Sequence, residues 1–162
     1  MIDQIIDNGK TRFSTRAPRG FSLIEVLIAL IIMSVGMLGI ASLYVQSMQA
    51  GRTSLFRHNA VTLAGDVTDR IRANPTAAAA YEGAGADNGC IAGTTACSDL
   101  EMAAQDILLW DQQAFNTLPN GAVAVTVDAT AIPTSYSIAI TWVEPGLVPQ
   151  QNYTIVTQVP GF

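Results

Sequence analysis

Three places in this sequence hold residues whose chemistry asks for an explanation. They are the carboxylate Glu25 at the threshold of a long uncharged run, the junction Gly20-Phe21 just before it, and the cysteine pair Cys90 and Cys97. From Val26 to Val45 there are twenty residues without a charge, enough for a helix to cross a hydrocarbon layer about 30 Å thick. A carboxylate at the centre of such a layer costs about 2.5–3.5 kcal/mol on insertion scales, and a residue of this kind normally has a partner. The span contains no Lys, Arg or His to serve. The missing cation appears if the chain is cut between Gly20 and Phe21. The new α-amino group would lie about one helical turn from Glu25, or from the Glu25 of a neighbouring chain. An acid near a helix N-terminus is further favoured by the helix dipole.

The elements that must position these groups follow from length and charge. The 162 residues suffice for one domain with a core, and charged residues are only 13% of them, about half the usual share. No second segment as apolar as Val26–Val45 follows, so the topology expected is a single anchor plus one compact domain. Residues 1–20 carry Lys10, Arg12, Arg16 and Arg19 against Asp3 and Asp7, a net of +2, whereas the remainder holds four Arg, eleven acids and no Lys, a net of −7. Basic residues before a hydrophobic span hold that end in the cytoplasm, which sends the rest across the membrane. An acidic exported part argues against nucleic acid as a partner, since that needs Lys and Arg to displace counterions. The start is not an ordinary secretory signal: no small-residue cleavage site follows a short apolar stretch. A plain signal anchor would leave Glu25 unexplained.

Gly20-Phe21-Ser22-Leu23-Ile24-Glu25, followed by fourteen uncharged residues from Val26 to Gly39, resembles the prepilin processing motif (the class III signal) of type IV pilins. The resemblance implies that a membrane-embedded prepilin peptidase cuts after Gly20 on the cytoplasmic face and N-methylates Phe21. It also implies that Glu25 helps to register an incoming subunit against one already in a filament. Residues 1–20 are then a leader removed on processing, 21–45 the membrane and filament-core half of a long helix, 46–74 its amphipathic stalk half, and 75–162 a periplasmic head.

Past Val45 the pattern turns amphipathic. Met48, Leu55, Phe56, Ala60, Leu63, Ala64, Val67 and Ile71 recur at helical spacing as one apolar face, and Asp66 with Arg70 has the i,i+4 arrangement. Asn74-Pro75 ends the helix, because proline disfavours helical geometry in the residue before it. One helix from Phe21 to about Ala73 is expected. Gly36 and Gly39 within the span either soften the helix or allow close approach of another.

The head begins with a loop, Gly83–Gly93, whose glycines are not spaced for a phosphate loop. Cys90 and Cys97 lie on the side expected to be oxidising, where a disulfide is favoured; free thiols and a metal site are the alternatives. A metal would need further ligands, and the only histidine, His58, is on the stalk. Ser98-Asp99-Leu100-Glu101 reads as a capping box opening a second helix. Its expected apolar face is Leu100, Ala104, Ile107, Leu108, Ala114, Phe115 and Leu118, with Trp110 at the edge, and Leu118-Pro119-Asn120-Gly121 closes it. Asp106 and Asp111 are spaced like a solvated face. Alternation then takes over in Val123/Val125/Val127, Tyr136/Ile138/Ile140/Trp142 and Tyr153/Ile155. A three-stranded antiparallel meander follows, able to cover the apolar side of the stalk. The fold class is α+β.

Arg70-Ile71-Arg72-Ala73-Asn74-Pro75, the Cys90/Cys97 loop, the Ala104–Trp110 stretch, Leu118-Pro119 and Tyr136…Trp142 together resemble the PilV-type minor pilins. That resemblance implies an inner-membrane protein that joins other minor pilins and the major pilin on the assembly platform. It would prime pilus assembly near the tip. A minor pseudopilin of a type II secretion system is the nearest alternative, and a DNA-uptake or adhesive pilin is the next. An enzyme is not expected, because the head holds no His and no Lys and its acids do not converge. No cofactor is implied.

Overall fold

The computed structural model describes residues 20–91, 93, 96–146 and 149–160. Most of the expected leader, residues 1–19, lies outside the described residues. The elements run α1 (Leu23–Ala73), a 3-10 helix (Pro75–Glu82), α2 (Asp99–Thr117), β1 (Ala122–Asp128), β2 (Thr134–Trp142) and β3 (Gln151–Val159). By its internal contacts the chain divides into two compact units, the second of them Gln46–Phe162.

In the first unit, every residue of α1 up to Val45 is exposed. The most apolar 18-residue window of the helix has a mean hydropathy of 2.6. The helix is long and apolar enough to cross a membrane.

In the second unit the core is built on one stripe of α1. Ala60, Leu63, Ala64, Val67 and Ile71 are buried in a single cluster with Trp110, Tyr136, Ile138, Ile140 and Trp142. The expected face was therefore correct from Ala60 onward. Phe56 packs against the cluster only in part, and Met48 and Leu55 are exposed, at 59% and 57%. Leu55 lies between Thr53, which bonds to Glu144, and Phe56, so it sits on the side of the helix turned away from the head. Asn74-Pro75 ends α1 as expected, and the chain then tightens into the 3-10 helix, which the sequence pattern did not announce. Pro75 suits its first position, where no N–H is required. The turn is interrupted at Ala78, whose φ is 40°.

The capping box of α2 forms as expected. Glu101 N–H donates to the Ser98 hydroxyl, and the Glu101 carboxylate accepts from Ser98 N–H at 2.8 Å. The Ser98 N–H bond, then the Ser98 hydroxyl, hold the Glu101 carboxyl below its ordinary pKa. A depressed pKa contributes stability above the unfolded-state value and loses it as pH falls through the folded one. At the other end, Asn120 takes a positive φ of 50°, and Gly121 packs so tightly that a Cβ there would sit 2.3 Å from the Ala114 carbonyl oxygen. Only glycine fits.

The strands pair antiparallel in the order β1-β2-β3. Val125, Ile138 and Ile155 form one row across the sheet, and Val123, Ile140 and Tyr153 the next. One face carries the apolar set to the core and the other is solvated, which is why period-two alternation marked the strands.

Replacing Ser98 with Ala should lower the stability of the second unit by about 1 kcal/mol, the usual value of an N-cap. Urea unfolding of the detergent-solubilised protein, followed by circular dichroism, measures it. An unchanged midpoint would show that the box is dispensable.

Candidate functional site

At the start of α1 the first intrahelical bonds are those of Glu25 N–H (3.1 Å) and Val26 N–H (3.3 Å) to the Ser22 carbonyl. The helix therefore begins at Leu23, two residues later than expected, and the Gly20-Phe21 peptide lies outside its hydrogen-bonded ladder. Both residues are exposed, Phe21 at 82%. A bond in that position can be approached along its backbone without unwinding helix. Glu25 occupies the first turn, where the N–H groups of a helix have no acceptors of their own and favour negative charge. Gly20 and Phe21 thus stand just before α1, and Glu25 stands in its first turn.

Cys90 and Cys97 are joined as a disulfide, with Cα atoms 5.8 Å apart. The covalent loop is held against α2 by its neighbours. Asn88 N–H donates to the Gln105 side chain at 2.8 Å, and the Asn88 amide to the Glu101 carbonyl at 2.9 Å. Gly85 lies so close to α2 that a Cβ would meet the Leu108 nitrogen at 2.6 Å. Gly85 therefore serves close packing, whereas Gly89 and Gly93 have open space around them and take positive φ, 69° and 68°.

Charge within the second unit is not arranged as the sequence suggested. Asp106 is not on a solvated face: it is only 4% exposed and accepts from Arg70 at 2.8 Å. The same guanidinium reaches Asp66 at 3.1 Å, the expected i,i+4 pair. The Asp106 bond raises the Arg70 pKa, with Asp66 adding to it against the opposing effect of burial. The buried residues of α2 are Ala103, Gln105, Asp106, Trp110 and Ala114, so Trp110 belongs to the buried face and not its edge, while Leu100 and Phe115 are 61% and 73% exposed. Trp110 stacks on Tyr81 with ring centroids 5.7 Å apart, and burial pushes the Tyr81 phenol up to about 12. A second buried carboxylate, Glu144, accepts from the Thr53 hydroxyl at 2.7 Å and from Trp142 Nε1 at 3.0 Å. Neither tie was foreseen. The one available signal was the pairing capacity of Arg70, which sits within reach of two carboxylates.

Residues 15–41 match the family model of the prokaryotic N-terminal methylation motif, and residues 42–108 match the type IV pilin Tt1218-like model. The chain belongs to the type IV pilin family. Comparison with curated proteins and with solved structures found no match. Gly20, Phe21 and Glu25 all fall inside the methylation-motif match. Arg70, Cys90, Cys97 and Asp106 fall inside the pilin match, whereas the whole sheet lies beyond it. Membership implies a membrane-anchored pilin that is processed by prepilin peptidase and assembles with other pilins.

The Arg70–Asp106 pair gives an asymmetric prediction. Arg70→Ala strands a buried carboxylate and should cost about 2–3 kcal/mol. This is below the full value for a buried pair because the Arg70 side chain is 43% exposed. Asp106→Asn leaves a guanidinium that water can reach and should cost less than half as much. Equal losses in urea unfolding would show that burial of Asp106 does not govern the pair.

Proposed function

We propose that this pilin is a minor subunit of a type IV pilus, of the PilV type, which promotes or primes filament assembly and catalyses nothing itself. It is inserted once through the inner membrane with its head in the periplasm. Prepilin peptidase cuts it between Gly20 and Phe21 and methylates the Phe21 amine. It then joins other minor pilins and the major pilin on the inner-membrane platform, near the tip of the filament.

The observation that carries this reading is Glu25. It is the one charge from Gly20 to Gly51. It stands in the first turn of α1, next to an exposed junction whose cleavage creates a cation within reach. The methylation-motif match over the same residues supports processing there. The same junction would serve a minor pseudopilin of a type II secretion system. The disulfide loop and the Arg70–Pro75 end of α1 favour the pilus reading, because these are the features that resemble PilV-type heads. The net −7 beyond Gly20 disfavours a DNA-uptake role.

Replacing Gly20 with Leu should block cleavage, because the peptidase must approach the backbone at that position. Mass spectrometry of the membrane fraction should then find residues 1–20 retained, and a normal mature mass would refute it. Glu25→Ala should leave cleavage intact and lower the amount of this protein in sheared pili about tenfold or more, the loss of an ion pair worth at least 1.4 kcal/mol. Undiminished incorporation would remove the ion pair from the mechanism.

A further inference from the structure

The two edges of the head's sheet are treated differently. Along β1 the outer edge is guarded. The Glu82 carboxylate accepts from Val127 N–H at 2.6 Å, and the 3-10 helix and α2 both pack against the strand. Because Val127 turns its N–H outward, its partners in alternation, Val125 and Val123, do the same. Ala122, Ala124, Thr126 and Asp128 then bond to β2. Carried across the sheet in its continuous register, this alternation directs Gln151, Tyr153, Ile155, Thr157 and Val159 to β2. The N–H and C=O groups of Asn152, Thr154, Val156 and Gln158 point away from the sheet.

Among the described residues nothing bonds to those four residues from outside. β3 pairs with β2 alone, and no backbone or side-chain hydrogen bond reaches them. All four are exposed, Val156 at 63%. Among the described residues the strand has none of the usual protections for an edge. Its nine residues, QNYTIVTQV, include no charge, no Pro and no Gly, and the one-to-one register shows no bulge. A long, uncharged, unguarded edge is a template for another strand.

We infer that the outer edge of β3 is a docking site for an extended strand from another pilus subunit, joined by main-chain hydrogen bonds at Asn152, Thr154, Val156 and Gln158. This rests on the proposed pilus role. A ladder of outward N–H and C=O groups is complementary only to extended backbone, which fixes the conformation of the occupant. Net charge bears on its identity. Residues 46–162 carry four arginines against ten carboxylates, so a second copy would bring like charge against like charge. A neutral or basic strand from a different subunit would not.

Two measurements test this. The first is amide hydrogen exchange of the mature protein, in detergent micelles and in sheared pili. In micelles the amides of Asn152, Thr154, Val156 and Gln158 should exchange rapidly, and in pili at least about tenfold more slowly. Equal fast exchange in both overturns the inference. Protection already present in micelles of the protein alone would mean that a second copy covers the edge, which overturns the assignment to another subunit. The second compares Val156→Pro with Val156→Thr. Proline removes an N–H that the head does not use, so both variants should keep the wild-type unfolding midpoint. Only Val156→Pro should reduce recovery in pili, by about tenfold or more. Equal recovery of both variants overturns the inference, and so does equal loss, which would assign the contact to the side chain. Absence of the wild-type protein itself from pili would instead overturn the proposed function, and this inference with it.

Discussion

Hydrophobic closure of the head on α1 is the constraint from which the rest of the structure follows. Three strands of seven, nine and nine residues present one apolar face, and a sheet of that size is stable only when the face is covered. The cover is the stripe Ala60, Leu63, Ala64, Val67, Thr68 and Ile71. Two of its six members are alanines and a third is Thr68, so the helix brings little bulk of its own. The volume comes instead from the sheet and α2, as Trp142, Tyr136, Trp110 and Tyr81. Small residues on the helix and large ones opposite let the elements approach closely.

Apolar burial has no preferred direction, so it does not by itself fix how the elements are rotated on α1. Directional bonds do. Thr53 reaches Glu144 after β2, Arg70 reaches Asp106 on α2, and Arg72 reaches Thr157 on β3 at 3.0 Å. In each case the donor is on α1 and the acceptor residue is at most 5% exposed. An acceptor so placed would carry its full desolvation penalty if the helix turned or slid. Thr53 lies more than four turns from Arg70 and Arg72 along the helix, and the three ties reach different segments of the head, so together they fix register as well as rotation.

Periodicity was a good guide wherever burial alone decided the outcome. The strands, the end of α1 at Asn74-Pro75 and the capping box at Ser98 were all legible, because each depends on spacing or on one local bond. The face of α2 was legible only in part: Ala114 and Leu118 are buried and Ile107 packs on the core. Leu100 and Phe115 are apolar and at plausible spacing, yet they face solvent, while the buried line runs through Asp106. A carboxylate in a core is invisible to hydropathy, because what makes it tolerable is a cation thirty-six residues away in sequence. The same holds for Glu144 and its donor ninety-one residues away. The 3-10 helix escaped notice because four consecutive alanines carry no pattern of either period.

Partnering also separates Glu25 from the other acids. Beyond Gly20 there are eleven carboxylates. Asp66, Asp69 and Asp106 pair with arginines, and Glu82, Asp87, Asp99, Glu101, Asp128 and Glu144 accept hydrogen bonds. Two are left without a partner among the described residues, Asp111 and Glu25. Asp111 is exposed on the head, where water solvates it at no cost. Glu25 is different, because it leads into the uncharged run and will not keep water once that run is in hydrocarbon or among the helices of a filament. An acid in that position is stabilised only from outside its own helix. The amine that cleavage would create at Phe21 is the nearest cation chemistry can offer, on this chain or the next. On the proposed function, processing and assembly become one problem: a cut between Gly20 and Phe21 would remove the leader and would also supply the charge that lets Glu25 be buried.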